Sequence, residues 1–169
     1  ATHAAQLVLD GERATYALCR PPGHHAYADR ANGFTYLNNG AIAAQHLRSK
    51  YDRVAILDID VHHGNGTQGI FWRRKDVLTI SLHGDPHFCT PFFTGHAHEV
   101  GEGDGLGYNM NLLAAYEAID VHNRAAIRRL FVDRPLQRTF GIKPRMADAS
   151  KGRGQAGHFV HDLAGVPVV

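Results

Sequence analysis

Three side chains that can bind a metal or carry a proton lie within one short stretch of the chain. Asp58, Asp60 and His62 alternate with apolar residues in ILDIDVHHGNGTQ, residues 56 to 68. If residues 54 to 62 stay extended, period-two alternation directs all three side chains to one side of the strand's exit. Zinc accepts carboxylate oxygen and imidazole nitrogen, and a catalytic zinc takes three protein ligands beside a position for water. Asp60 and His62 can supply two of those ligands.

A second candidate group is the adjacent pair His24 and His25, which follows the sequence RPPG. The two prolines stiffen this loop, so both imidazoles leave a rigid backbone. Adjacent histidines suit proton transfer. Asp58 would orient one imidazole and raise its basicity, and Asn65 could orient the other without adding charge. Either motif alone is more often an ordinary loop feature, and their combination favours a catalytic site.

The elements that must position these side chains can be predicted from periodicity and from the glycines and prolines that end them. Asn38 or Asn39 can cap a helix that runs to Lys50, because asparagine is a good N-cap residue. The remaining predicted elements are a helix over 3–12 that ends at Gly11, strands over 15–20, 54–60, 77–83 and 108–112, a weak helix over 66–74 and a helix over 114–131.

Two buried strands separated by one crossover segment predict an α/β unit with a parallel sheet. Ligands of such sheets bind beyond the carboxyl ends of the strands, where Asp58, Asp60 and His62 would lie. Residues 83 to 107 contain six glycines and form a long loop, which in a compact domain is usually functional.

Composition narrows the function classes. The chain has 169 residues, a formal charge of +2, 44% hydrophobic residues and 13 histidines, which favours one globular domain with metal or proton chemistry. The basic residues after residue 111 are scattered and form no groove-reading motif, so we expect no nucleic-acid partner. Two isolated cysteines, and the lack of an apolar run long enough for a membrane span, predict a cytoplasmic protein without a membrane partner.

Five sequence blocks in a fixed order resemble the histone deacetylase superfamily, and within it the bacterial acetylpolyamine amidohydrolases and class II-like deacetylases. The blocks are RPPGHHA (20–26), GFTYLNNGAIAA (33–44), ILDIDVHHGNGTQGIFW (56–72), SLHGDP (81–86), and PFFTG with GEGDGLGYNMN, which ends at 111. The resemblance implies an α/β, arginase-like parallel sheet flanked by helices, here incomplete. It also implies zinc-dependent hydrolysis of an N-acetyl amide, with an acetylpolyamine, another small acetylated amine or acetyl-lysine as substrate.

The resemblance also assigns roles to single residues. Asp60 and His62 stand where the family binds zinc, and Asp58 and Asn65 stand behind the catalytic pair His24 and His25. A structural potassium ion is implied near Asp58, Ser81 and Leu82, and Gly33 and Phe34 stand at the substrate channel, where a phenylalanine would stack on an aliphatic arm. The resemblance does not decide which of the two histidines serves as the base, nor whether the chain forms a homo-oligomer.

The chain also departs from the family pattern. Lys143 occupies the place of the third zinc ligand, and a protonated ammonium has no lone pair for a metal, although Asp148 is an alternative. We interpret 1–169 as a single partial deacetylase domain that matches the family well over 1–112, poorly over 113–155 and weakly over 156–169.

Two other functions stay open at this stage. One is a non-catalytic module that binds a metal or an acyl-amine, a remnant of a deacetylase. The other is a ureohydrolase, whose two-metal D-x-H-x-D motif is disfavoured because Gly64 takes the place of the last aspartate.

Overall fold

Helices and strands alternate along the part of the chain that the structure, a computed structural model, describes, which is residues 1–114 and Val169. In chain order the elements are α1 (Thr2–Leu9), α2 (Asn39–Leu47), β1 (Val54–Asp58), α3 (Asn65–Phe71), β2 (Val77–Gly84), a short 3-10 turn (Gly103–Gly105) and β3 (Asn109–Ala114).

The three strands form one parallel sheet in the order β1-β2-β3. The register places Asp58 beside Ser81, and Ser81 beside Asn111. The outer edge of β1 is also paired, because the amide of Val169 donates to the Ala55 carbonyl at 2.9 Å and its carbonyl accepts from the Leu57 amide at 3.0 Å. The predicted α/β architecture with a parallel sheet is confirmed.

The helices and strands share one apolar cluster. Its fully buried members include Ala44 of α2, Val54 of β1, Phe71 of α3 and Val77 of β2. Because side chains alternate across a strand, Val77 shares its face of β2 with Thr79, Ser81 and His83. The face under the helices is therefore apolar at the amino end of the sheet and polar toward its carboxyl end.

The start of α2 is fixed by a side-chain cap. Asn38 has an extended backbone, and its Oδ1 accepts from the Ala41 amide at 3.0 Å. Such a cap satisfies one of the amides that a helix leaves unpaired at its start. Asn38 also donates to the Ala26 carbonyl at 3.1 Å, so the cap ties α2 to the loop that carries the two histidines.

The predicted strand over 15–20 is wrong. These residues form no strand, and Tyr16 and Leu18 are exposed. A strand needs a neighbour to pair with, and residues 15–20 pair with none of the strands that the structure describes.

Smaller differences concern element ends. The helix predicted over 3–12 is α1 and ends at Leu9, α2 ends at Leu47 rather than Lys50, and β1 ends at Asp58 rather than residue 60. The other strands lie near their predicted positions, and the weak helix is α3. The helix predicted over 114–131 begins at a residue that belongs to β3 and otherwise lies outside the described residues.

Both cysteines, Cys19 and Cys89, are free. Among residues 1–114, no helix is long and apolar enough to cross a membrane.

Candidate active site

Carboxylates end strand β1 and shape the turn after it. The Asp58 Oδ1 accepts from the Asp60 amide at 3.0 Å, and the Asp60 Oδ1 accepts from the His62 amide at 2.8 Å. An aspartate that binds the amide two residues on replaces the strand ladder with a turn. The expectation that residues 54 to 62 stay extended is therefore wrong. Asp60 and His62 nevertheless stay close, since the His62 Nδ1 lies 3.1 Å from the Asp60 Oδ1.

His24 is held by Asp58. Its Nδ1 lies 2.7 Å from the Asp58 Oδ2, and its carbonyl accepts from the Thr67 amide of α3 at 3.1 Å. This pairing requires a glycine at position 64, because a Cβ there would lie 2.3 Å from the same Asp58 oxygen. The glycine after the two histidines of the DVHHG turn therefore has a role that the sequence analysis missed.

His25 is held by a neutral partner. Its Nδ1 lies 2.5 Å from the Oδ1 of Asn65, the first residue of α3, and its ring centroid lies 4.0 Å from that of His24. Gly33 backs the ring in a left-handed conformation with φ of 57°, and a Cβ there would lie 2.2 Å from the His25 Cδ2. The structure thus brings together the four residues predicted to be catalytic.

The pKa values of His24 and His25 are shifted in opposite directions, and their different partners contribute to this. Burial by itself lowers the pKa of His24, but the hydrogen bond to Asp58 and the charges of Asp58 and Asp60 outweigh it and raise that pKa above its ordinary value. Burial lowers the pKa of His25, the bond to the neutral Asn65 opposes this only in part, and the charges of His24 and His62 lower it further. His24 therefore keeps its proton to a higher pH than His25 does.

Asp60 and His62 are chemically suitable as two of the ligands of a zinc ion. Asp60 and His62 offer one carboxylate and one imidazole next to each other, and both side chains are half-exposed. Within residues 1–114, no group of three or more metal-ligating side chains is arranged to hold an ion. The third position proposed from the sequence, Lys143 or Asp148, lies outside the described residues.

The residues predicted for potassium also lie together. Ser81 is the register partner of Asp58, Leu82 follows it, and the amide of Gly84 ties the end of β2 to the Val61 carbonyl at 2.9 Å. The sequence analysis missed His83, whose Nε2 donates to the Gly95 carbonyl at 2.8 Å. Burial, the largest cause, lowers the pKa of His83 and favours the neutral ring.

The fixed tautomer of His83 decides the direction of the Ser81 hydroxyl. With its proton on Nε2, the neutral His83 ring accepts at Nδ1 from the Ser81 Oγ, 2.8 Å away. The Ser81 oxygen then keeps lone pairs for a cation, which is the chemistry that a hard ion such as potassium requires.

Of the two predicted substrate residues, Gly33 lies against the His25 ring, and Phe34 follows it in the chain. Phe34 is fully exposed and has a left-handed backbone with φ of 62°, which is rare for a bulky residue. A cleft of about 390 Å³ is lined by His24, Asp58 and Asp60, among others. A second cleft of about 340 Å³ lies between α2 and α3 and contains none of the candidate catalytic residues.

A buried polar network under the site was not predicted. The Gln68 Oε1 of α3 lies within 3.1 Å of the His63 Nε2, the Asn109 Nδ2 and the Asn111 Nδ2. Its Nε2 donates to the Glu99 carboxylate at 2.6 Å. The signal was the N-M-N alternation of β3, which puts two amides on one face of the strand.

Several known proteins are similar to this chain in sequence. The model of the histone deacetylase domain matches residues 1–146. An acetylpolyamine amidohydrolase of Burkholderia pseudomallei is 46% identical over 177 residues, which cover 95% of this chain and 51% of that protein. Acetylpolyamine amidohydrolase 2 of Pseudomonas aeruginosa is 57% identical over 105 residues, 62% of this chain and 30% of the relative.

Solved structures agree with the sequence comparison. A crystal structure of acetylpolyamine aminohydrolase from Burkholderia pseudomallei superposes with a TM-score of 0.70 at 51% identity and covers 80% of this chain and 39% of that one. A histone deacetylase homologue from Aquifex aeolicus gives a TM-score of 0.61 at 38% identity, over 68% of this chain and 30% of its own. The chain thus spans about half the length of its Burkholderia relative, and it belongs to the histone deacetylase family.

Proposed function

We propose that this site serves the zinc-dependent hydrolysis of an N-acetyl amide to acetate and an amine. The observation that carries the proposal is the pairing of adjacent histidines with unlike partners, a carboxylate for His24 and a neutral amide for His25. Two titratable groups whose pKa values are pushed apart are the usual basis of acid and base assignments.

In this proposal His25 is the base. Its Nε2 takes a proton from the attacking water as the water oxygen adds to the acetyl carbonyl. The same nitrogen then returns the proton to the amide nitrogen as the carbon–nitrogen bond breaks. His24, paired with Asp58, stays an imidazolium and stabilises the negative charge that develops on the carbonyl oxygen.

Asp60 and His62 are the residues that would hold the zinc ion. When bound, zinc polarises a carbonyl and makes its bound water more acidic. Asp58, Ser81 and Leu82 are the residues that would hold a structural potassium ion at the neighbouring strand ends.

Acetylpolyamines are the favoured substrates, with acetyl-lysine second. The support is that relatives 46% and 57% identical carry the name acetylpolyamine amidohydrolase. The exposed ring of Phe34, the residue after Gly33, suits the aliphatic arm of either substrate.

Acetylputrescine and an acetyl-lysine peptide, each offered to the zinc-loaded chain, test the proposal. We expect acetate release that is faster with acetylputrescine and falls at least 100-fold in His25→Ala. His46→Ala, which changes a half-exposed histidine on α2, is the matched control and should keep the wild-type rate.

The opposite outcome has a defined meaning. Binding of acetylputrescine without turnover would favour the non-catalytic module named above over an enzyme. The sequence feature that supports this alternative is Lys143 at the place of the third zinc ligand. The ureohydrolase alternative is weakened further, since a side chain at position 64 would collide with Asp58.

A further inference from the structure

The side chain of Asn65 lies between His25 and Tyr27. Its Oδ1 is 2.5 Å from the His25 Nδ1, and its Nδ2 donates to the Tyr27 hydroxyl oxygen at 3.0 Å. Asn65 is only 2% exposed, so water offers it little replacement for either bond. The two ends of an amide differ chemically, because the oxygen accepts and the nitrogen donates. The direction of this amide therefore decides which ring nitrogen of His25 carries the proton.

With the Asn65 oxygen toward His25, the ring must donate from Nδ1, which leaves the lone pair on Nε2. With the amide turned over, its nitrogen would donate to Nδ1 and force the proton onto Nε2. In the observed direction each hydrogen bond of the amide has a donor facing an acceptor, the His25 Nδ1–H with the Asn65 Oδ1 and the Asn65 Nδ2–H with the Tyr27 hydroxyl oxygen. The turned amide would thus remove the lone pair that the proposed base needs.

The Tyr27 hydroxyl supplies the acceptor that the Asn65 nitrogen needs in the observed direction. A buried amide nitrogen without an acceptor loses the hydrogen bond that water would have given it, and this loss is costly. Removing the hydroxyl leaves the nitrogen unpaired in the observed direction, and turning the amide over would restore a bond for it at His25.

The ring of Tyr27 is fixed from two sides. A Cβ at Gly69 of α3 would lie 2.5 Å from the Tyr27 Cε1, so the ring lies directly on the helix backbone. The Arg30 guanidinium lies 4.4 Å from the ring centroid on a cation–π contact, and the Tyr27 amide donates to the Arg30 carbonyl at 2.9 Å. The hydroxyl is therefore placed by a rigid ring rather than by a free side chain.

We infer that Tyr27 is a positioning residue, whose hydroxyl holds the Asn65 amide so that His25 keeps its proton on Nδ1 and presents the Nε2 lone pair. Its importance for the reaction rests on the proposed function. The tautomer itself is a property of the resting protein and can be measured without substrate.

Tyr27→Phe tests the inference by long-range proton–nitrogen NMR of the chain with ¹⁵N-labelled histidine, at a pH where His25 is neutral. We expect the wild-type protein to show the Nδ1–H form of His25, and the variant to show a substantial share of the Nε2–H form. In the deacetylation assay we expect kcat to fall about tenfold with KM nearly unchanged, since Tyr27 acts in this inference through the tautomer of His25. Tyr36→Phe, at an exposed tyrosine, should change neither reading.

A second variant keeps the test decisive if Tyr27→Phe folds poorly. Gly69→Ala retains the hydroxyl but displaces the ring, and it should shift the His25 tautomer in the same direction. An unchanged His25 tautomer in a folded variant overturns the inference whatever the activity. A shifted tautomer in a chain that hydrolyses no acetyl amide supports the positioning role and rejects the proposed function, so the two failures are distinguishable.

Discussion

At the scale of single residues, the two histidines differ in their partners: His24 contacts a carboxylate and His25 contacts a neutral amide. Asp58 and Asn65 both receive an imidazole Nδ1, at 2.7 Å and 2.5 Å. The carboxylate raises the pKa of its imidazole, whereas the bond to the amide does not offset the effect of burial on the other. Identical side chains at neighbouring positions thus have pKa values shifted in opposite directions.

Replacing Asn65 by aspartate should remove this difference. A carboxylate beside His25 stabilises its charged form, so we expect Asn65→Asp to raise the pKa of His25. Because a base must be neutral, the acidic limb of the activity profile would move to higher pH. An NMR titration of the His25 ring measures the shift directly. Asn39→Asp introduces the same charge at a half-exposed position of α2 and should leave the pKa of His25 unchanged. An unchanged pKa of His25 in Asn65→Asp would contradict the electrostatic effect expected of this partner.

Gly64 allows a second prediction at this scale. A Cβ at this position can be accommodated only if the Asp58 side chain moves away from His24. We expect Gly64→Ala to lower the pKa of His24 and to reduce the free energy of unfolding by about 1–3 kcal/mol. The NMR titration of His24 and denaturant unfolding measure the two effects. Gly40→Ala, where the nearest atom is 3.7 Å away, is the control. A His24 titration equal to that of the wild type would contradict the assigned contact.

At the scale of elements, Gln68 joins α3 to β3 and to the loop after β2. One side chain serves the His63 ring, two asparagine amides and the Glu99 carboxylate. Glu99 in turn accepts from the Gly95 amide at 2.8 Å. This bond helps to order the loop around Gly95, whose carbonyl accepts from His83 of β2. Burial tends to raise the pKa of Glu99, but its bonds to Gln68, Gly95 and Thr94 lower it overall.

Replacing Gln68 should lower the free energy of unfolding more than a typical surface substitution does. Gln68→Leu leaves the His63 N–H unpaired and takes a donor from Glu99, so we expect a loss of about 2–4 kcal/mol in the free energy of unfolding. Gln45→Leu, at an exposed glutamine on α2, should change the stability by less than about 0.5 kcal/mol. Equal effects of the two substitutions in urea unfolding would show that the network adds nothing to stability.

The sequence predicts most of the elements but not this network. Periodicity locates α2, β1 and β2 because their buried residues are apolar and contiguous. It cannot tell that Gln68, Asn109 and Asn111 are buried, since isolated amides usually face water. It also suggests a strand over 15–20, because local β propensity carries no information on whether a partner strand is near. The residue types suggested Asp58 and Asn65 as partners of the two imidazoles, but they did not show which imidazole each partner binds.

At the scale of the whole molecule, burial of histidines makes stability depend on pH. Burial, with a smaller effect of the His83 charge, lowers the pKa of His63 to about 4, below its ordinary value of 6.5. Between these two values the unfolded chain binds a proton that the folded chain does not. Stability is therefore complete above pH 6.5 and falls as the pH decreases toward 4, by at most about 3 kcal/mol from this group.

Urea unfolding at several pH values tests this dependence. We expect the wild-type free energy of unfolding to decline between pH 6.5 and 4, and the decline to be shallower in His63→Gln, where the titrating group is gone. His3→Gln, at an exposed position on α1, should follow the wild-type slope. Parallel curves for His63→Gln and the wild type would contradict the assignment of this acid sensitivity to His63.

The sequential order of the sheet bears on how the chain folds during synthesis. Each strand pairs with the strand made just before it, β2 with β1 and β3 with β2. A ribosome releases the amino-terminal part first, so every new strand meets an edge that already exists. The contacts of His24 and His25 require no residue beyond α3, because Asp58 and Asn65 both precede Phe71. All four side chains of these contacts have therefore been made before the long glycine-rich loop and β3.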